Sequence, residues 1–192
     1  MRMSILTIVI LAAIIIVLIA IAALVVSGGI ICSGLTGKMA TSAEALSPDE
    51  PAAGKALIVY DPGVSQAAKN AAAKIADDLK VQGYSVELAG VSSSAATNAS
   101  SYDIIIVGGP IYFGAASNSI TAYLKGLTLP KDAKLGVFGT TGYTDIAPSN
   151  LASFEQQITS LQNGKNAIIK LIADRDEKNA TKSYQDLALA VA

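Results

Sequence analysis

Five short apolar segments alternate with helical patterns, and this alternation restricts the chain to one class of fold. The apolar segments lie at 56–60, 85–89, 104–107, 134–138 and 167–173. The helical patterns open at Ser65 and cover 117–126, 150–162 and 182–192. Such alternation predicts βαβ units and a parallel sheet with helices on both faces. Five strands favour the order 2-1-3-4-5 over the Rossmann order, so we predict an α/β, doubly wound five-stranded parallel sheet.

The N-terminal segment predicts a membrane anchor. Ile5–Val26 contains no charged residue, and a helix of that length rises roughly 33 Å at about 1.5 Å per residue. This exceeds a hydrocarbon core of about 30 Å, whereas the apolar region of a cleaved signal peptide is only about 7 to 15 residues long. We therefore predict one transmembrane helix within residues 1–27. Lipidation of Cys32 is an alternative, although Ile31 stands where a small residue is expected.

The anchor divides the chain into three parts. Residues 28–54 are rich in small residues and contain two prolines, so they are expected to form a flexible linker. Residues 55–192 then form the folded domain. Arg2 precedes the apolar segment and Lys38 is the first basic residue after it. This weak bias favours a single-pass protein of the cell membrane with its domain on the extracytoplasmic side.

The ionisable residues exclude several functions. The chain has 192 residues, no histidine and one cysteine, which excludes histidine-ligated metal sites and an intramolecular disulfide. No metal site is expected. Lys and Arg total 14 against 15 Asp and Glu, so the charge is balanced and a nucleic-acid partner is not expected.

Three strand ends carry glycine, hydroxyl and aromatic residues. Ligands of doubly wound sheets bind at the carboxyl ends of the strands, and strands 1, 3 and 4 are neighbours in the predicted order. A phosphate can bind at the helix that Ser65 opens, and aromatic side chains can stack on a flavin ring. These loops therefore predict a flavin mononucleotide (FMN) site. The candidate residues are Asp61, Gly63, Ser65, Gln66, Ala67 and Ala68 in the first loop, Pro110, Ile111, Tyr112, Phe113 and Gly114 in the second, and Thr140, Thr141, Gly142 and Tyr143 in the third.

The last two loops resemble those of the flavodoxin family. Residues 109–114 (GPIYFG) are similar to the family's second loop, and 138–143 (FGTTGY) to the loop on the other side of the flavin. The resemblance covers nearly all of 55–192 and implies a flavodoxin-like fold with bound FMN. It further implies an electron carrier without catalytic side chains, which exchanges electrons with redox partner proteins. The anchor would contact membrane lipid and keep the carrier near such partners.

The first loop departs from the family pattern Ser/Thr-x-Thr-Gly-x-Thr. Asp61 replaces a hydroxyl residue, Pro62 removes one N–H donor, and Ala68 replaces the last Thr. Asp61 would repel a phosphate unless the loop turns it outward. Two alternatives to the electron carrier remain, and these departures motivate the first of them. One is a binding or structural module that has lost FMN, and the other is an FMN-dependent NAD(P)H or quinone reductase.

Overall fold

The computed structural model describes residues 13–21, 23, 36–161 and 166–192. From residue 43 onward, the described residues contain seven strands and four helices, which we number in chain order. The strands are β1 (Ala43–Leu46), β2 (Gly54–Tyr60), β3 (Tyr84–Gly90), β4 (Ile104–Tyr112), β5 (Ala115–Ala116), β6 (Lys134–Thr141) and β7 (Ala167–Ala173). The helices are α1 (Ala67–Val81), α2 (Asn118–Gly126), α3 (Pro148–Leu161) and α4 (Glu177–Val191), with a short 3₁₀ turn at Ala95–Thr97.

The sheet contains the predicted parallel core and two additional strands. Its order is β1-β3-β2-β4-β6-β7, with β5 paired to β4. The five predicted strands are all parallel, and their arrangement confirms the order 2-1-3-4-5. The prediction of five strands is wrong, because β1 and β5 pair antiparallel to β3 and β4. Both are short, of four and two residues, so neither has a clear alternating pattern.

Two hydrophobic cores lie on opposite faces of the sheet. In β4, Ile104 and Ile106 face the core beneath α1 and α4, whereas Ile105 and Val107 face the core beneath α2 and α3. All four side chains are almost completely buried, as expected for a central parallel strand. This packing fixes the carboxyl ends of β2, β4 and β6 side by side, where the three predicted loops begin.

The last two helices begin earlier than predicted. Helix α4 begins at Glu177 rather than Lys182, because the side chain of Asp176 accepts the backbone N–H of Asn179 and caps it. Helix α3 begins at Pro148, a favourable residue for the first helical turn. The predicted end of α3 at residue 162 lies outside the described residues.

Part of the predicted linker is packed against the domain. Residues 36–46, which we call the N-terminal strap, include β1 and follow the edge of β3. The N–H of Gly90 donates to Ser42 O at 2.8 Å, and the N–H of Ser92 donates to Ala40 O at 2.9 Å. These bonds satisfy backbone groups that an edge strand otherwise leaves unpaired. The flexible-linker prediction therefore does not hold for the strap.

The predicted anchor is described only in part. Residues 13–21 are helical, and the large apolar side chains among them, such as Ile16 at 67%, are at least half exposed. The remainder of 1–27, apart from residue 23, lies outside the described residues. Among the residues that the structure describes, no helix is both long enough and apolar enough to span a bilayer.

Candidate functional site

The three predicted loops meet at the carboxyl edge of the sheet, which we call the rim. The N–H of Val64 in the first loop donates to the Tyr112 hydroxyl of the second at 3.2 Å. Gly114 of the second loop and Tyr143 of the third line one cleft of about 240 Å³. The rim thus joins three segments that are far apart in sequence, as the predicted strand order requires.

The second loop is a tight hairpin with an exposed aromatic at its tip. Strands β4 and β5 pair Tyr112 with Ala115, leaving Phe113 and Gly114 as the two turn residues, with φ of 53° and 82°. A two-residue turn with both φ values positive favours Asn or Gly. A phenylalanine there is disfavoured by roughly 1–2 kcal/mol, and its ring is 71% exposed. Neither the turn nor the core requires this phenylalanine, which makes it a candidate for ligand binding.

The predicted residues of the third loop differ in whether a ligand at the rim could reach them. Tyr143 is 63% exposed and Thr141 lines the cleft beside it. Thr140 is only 3% exposed and belongs to the sheet interior. Gly142 lies near Arg175, whose guanidinium is 3.8 Å from the position that a Cβ would take. Tyr143 and Thr141 are therefore candidates to contact a ligand, whereas Thr140 is not.

The floor of the cleft includes residues that sequence reasoning did not assign to the site. Ile111 was predicted and lies there, but Phe154, Asn150, Ser153 and Leu171 line it as well. Phe154 is 2% exposed and belongs to the core of the α3 face. Its helical spacing predicts only a buried face, so no signal in the sequence distinguished it as part of the cleft.

Asp61 in the first loop is turned into the protein. Its side chain is fully buried. One carboxylate oxygen accepts the N–H of Gly63 at 3.0 Å, and the other accepts the hydroxyl of Ser119. Ser119 is in turn 3.0 Å from the hydroxyl of Ser117. The outward-turned alternative for Asp61 is therefore wrong. Asp-Pro-Gly is a typical turn sequence in which an Asp side chain bonds the backbone two residues on.

The start of α1 also differs from the prediction. Ser65 was expected to cap this helix, but the capping position is taken by Gln66, whose φ is 62°. Ser65 Oγ accepts only a long hydrogen bond of 3.4 Å from the N–H of Ala67. Ala68 is fully buried in the core under α1. Ser65 and Gln66 are exposed and available to a ligand, whereas the side chain of Ala68 is not.

The rim fits the ring of FMN better than its phosphate. The cleft and exposed aromatics could hold a planar ring, and Pro110 packs against Gly63 beside them. However, the Gly63 and Val64 N–H groups already bond Asp61 and Tyr112. A phosphate at these donors would also lie near the Asp61 carboxylate. Two like unit charges 4 Å apart repel by about 4 kcal/mol at an effective dielectric constant of about 20.

A larger cavity of about 470 Å³ lies beside α2, lined by residues 96–100, 122, 123 and 126–130 rather than by the three loops. The hydroxyl of Tyr123 donates to Ala96 O at 2.8 Å in this region. Burial, together with the nearby Tyr102, raises the pKa of Tyr123 to about 12. The lining of this cavity lacks the exposed aromatics and the glycine-containing turns of the rim, so volume alone does not identify the candidate site.

Comparison with solved structures shows the fold. One match is a flavodoxin, WrbA-like protein from Agrobacterium tumefaciens. The aligned region covers 72% of this chain and 98% of that protein, with 14% sequence identity and a TM-score of 0.52. A Streptococcus pneumoniae TIGR4 flavodoxin matches 71% and 99%, with 21% identity and a TM-score of 0.50. An azoreductase from Bacillus anthracis matches 71% and 98%, with 12% identity and a TM-score of 0.50. The chain therefore has a flavodoxin-like fold.

No protein-family model matches the chain, and no curated protein matches it. At these identities the solved structures establish the architecture, which proteins of different function share. The function has to be argued from the rim itself.

Proposed function

We propose that the chain is a flavin-binding electron-transfer protein, held at a membrane by its N-terminal apolar segment. The observation that carries this proposal is the pair of exposed aromatics at the rim. Phe113 stands on a turn that disfavours it, and Tyr143 stands beside the cleft that includes Gly114. An isoalloxazine ring stacked between such side chains would remove their apolar surface from water. FMN is the flavin that the flavodoxin resemblance implies.

The residues of the rim suit binding and orientation rather than acid–base catalysis. The chain has no histidine, and the carboxylate in the first loop, Asp61, is buried and hydrogen-bonded. When bound, the flavin supplies the redox chemistry. The chain's own residues would hold the ring, exclude water from one face through Ile111 and Phe154, and leave the other edge open to redox partner proteins.

Membrane attachment is the second part of this proposal. The described helix at 13–21 exposes its large apolar side chains, and Ile5–Val26 as a whole is free of charge. Insertion in a bilayer would bury that surface. Attachment would also raise the effective concentration of the carrier near membrane-bound redox partners. Extraction with alkaline carbonate tests attachment, and protease access in intact cells tests the expected extracytoplasmic side.

A second candidate is a flavodoxin-fold binding module that holds no flavin. The first loop favours it, because Gly63 and Val64 donate to groups of the protein itself. Under this hypothesis, Phe113 and Tyr143 at the rim would contact another protein. The two candidates differ in one measurable property, which is flavin binding.

The test is a flavin titration of the full chain in detergent micelles. Quenching of FMN fluorescence together with a rise in melting temperature is expected. Phe113→Ala and Tyr143→Ala should each weaken binding roughly 2- to 10-fold, the range expected for an aromatic stacking contact. Leu189→Ala is the matched control, because Leu189 is 66% exposed but lies on α4.

Absence of quenching and of a thermal shift at high micromolar concentrations of both FMN and riboflavin would refute the flavin proposal and favour the binding module. If flavin binds, incubation with NADH and a quinone separates a carrier from a reductase. Catalytic turnover of NADH would show the reductase, and its absence is expected for the carrier.

A further inference from the structure

We infer that the rim prefers a flavin without a phosphate group, such as riboflavin, over FMN. This inference rests on the flavin site proposed above and concerns which flavin that site takes. It comes from the first loop, where the protein supplies its own carboxylate. Asp61 Oδ1 accepts the N–H of Gly63 at 3.0 Å, which is a backbone donor that an anion bound in this loop would need.

A second donor of the first loop is occupied from the opposite side. The hydroxyl of Tyr112 accepts the N–H of Val64 at 3.2 Å. Gly63 is also closed in, because a Cβ there would lie 2.9 Å from Pro110 and 3.2 Å from the Tyr112 hydroxyl. A phosphate could therefore reach these two donors only by displacing side chains of the second loop as well as Asp61.

The Asp61 carboxylate is fixed in place. Ser119 donates to its other oxygen, and Ser117 is bonded to Ser119. The N-terminal strap covers the group, since a Cβ on Gly37 would lie 2.4 Å from Ser119 Cβ and 3.5 Å from Asp61 Oδ2. Asp61 therefore cannot swing away to admit a phosphate without breaking buried contacts and moving the strap.

The nearest positive side chain of α1 does not remove this conflict. Lys69 lines a cleft of about 270 Å³ with Pro62 and Gln66, next to the strap. Its side chain is exposed, so water and salt screen its attraction for an anion. The buried carboxylate is screened less. At the first loop, repulsion by the Asp61 carboxylate therefore outweighs the attraction of Lys69, which disfavours a dianion.

The test compares riboflavin with FMN on the full chain in detergent micelles. Dissociation constants come from fluorescence quenching at one pH and ionic strength. We expect riboflavin to bind at least as tightly as FMN. An FMN affinity greater than the riboflavin affinity would overturn the inference while upholding the proposed flavin site. Failure of both flavins to bind would refute the inference and the proposed function together.

Three variants locate the origin of the selectivity. Asp61→Ser removes the charge and the acceptor, and should shift the ratio of affinities at least tenfold toward FMN. Asp61→Asn removes the charge but keeps an acceptor for Gly63, so a smaller shift is expected. Asp145→Ser is the matched control, because Asp145 is an exposed acid after the third loop, and its ratio should not change. An unchanged ratio in a folded Asp61→Ser variant would contradict the role of Asp61. If that variant does not fold, the ratio of the two affinities measured on the native chain still tests the inference.

Discussion

Gly90→Ala should detach the N-terminal strap from the sheet. A Cβ on Gly90 would lie 2.3 Å from Ala40 O and 2.5 Å from Ala40 C. Both are backbone atoms, which cannot rotate away as the end of a side chain can. The strap must therefore move, and its bonds to Gly90 and Ser92 are the first to break. The substitution tests whether the strap is an integral part of the fold, contrary to the linker prediction.

The size of the effect follows from the hydrogen bonds that hold the strap. Besides the backbone bonds that Gly90 and Ser92 donate to the strap, Ser92 Oγ donates to Gly37 O at 2.7 Å, and the hydroxyls of Ser42 and Tyr60 are 3.0 Å apart. At about 0.5–1 kcal/mol net for each of these bonds, the strap should open roughly 2–4 kcal/mol more easily. That is roughly a 30- to 700-fold faster amide exchange where exchange requires this opening.

Native-state hydrogen exchange, read by mass spectrometry on peptides covering 36–46 and 90–92, measures this directly. The matched control is Gly126→Ala at the end of α2, where a Cβ would have nothing within 4 Å. Its exchange in the strap should equal that of the native chain. Unchanged protection of the strap in Gly90→Ala, or an equal rise in both variants, would refute the reasoning.

Three further substitutions test the buried parts of the domain. Gly108→Ala should lower the denaturant midpoint by an equivalent of roughly 1–3 kcal/mol, because its Cβ would lie 2.2 Å from the buried Phe138 ring. Ser119→Ala should lower the free energy of unfolding by about 1–3 kcal/mol in chemical denaturation, since it leaves an oxygen of Asp61 without its partner. The native free energy of unfolding should fall as pH rises from 10 to about 12, because the unfolded chain loses the Tyr123 proton first. We expect roughly 1 kcal/mol after allowing for the partly exposed ring, and Tyr123→Phe should lack this component in urea titrations at each pH.

The parallel core was predictable because its signals are local and repeated. Ile104–Val107 is apolar at every position, which a strand buried on both faces requires. The strap gives no comparable signal. Ala43–Leu46 reads Ala-Glu-Ala-Leu, with low β propensity, and it becomes a strand only because the edge of β3 offers unpaired backbone groups. Its structure therefore depends on a tertiary contact that the local sequence does not contain.

The site was predictable as a set of loops but not as a set of contacts. The strand order alone brought Tyr112 near the first loop, yet its bond to Val64 could not be read from the sequence. Asp61 lies in a typical Asp-Pro-Gly turn sequence, and its bond to the N–H of Gly63 confirms the turn while leaving the carboxylate beside a donor that a phosphate would need. The deciding partner, Ser119, is far from Asp61 in sequence, and serine is too common near helix starts to predict that contact.

The strap also determines how far the rim can lie from a bilayer that holds the N-terminal helix. Gly37 of the strap packs against Ser119, next to the first loop of the rim. The helical residue 23 and residue 36 are described on either side of a short intervening stretch, which spans at most about 45 Å even when fully extended. If residues 13–21 are embedded in a membrane, residue 36, at the start of the strap, cannot lie more than roughly 50 Å from residue 21. The proposed membrane attachment would thus keep the rim within that reach of the membrane surface.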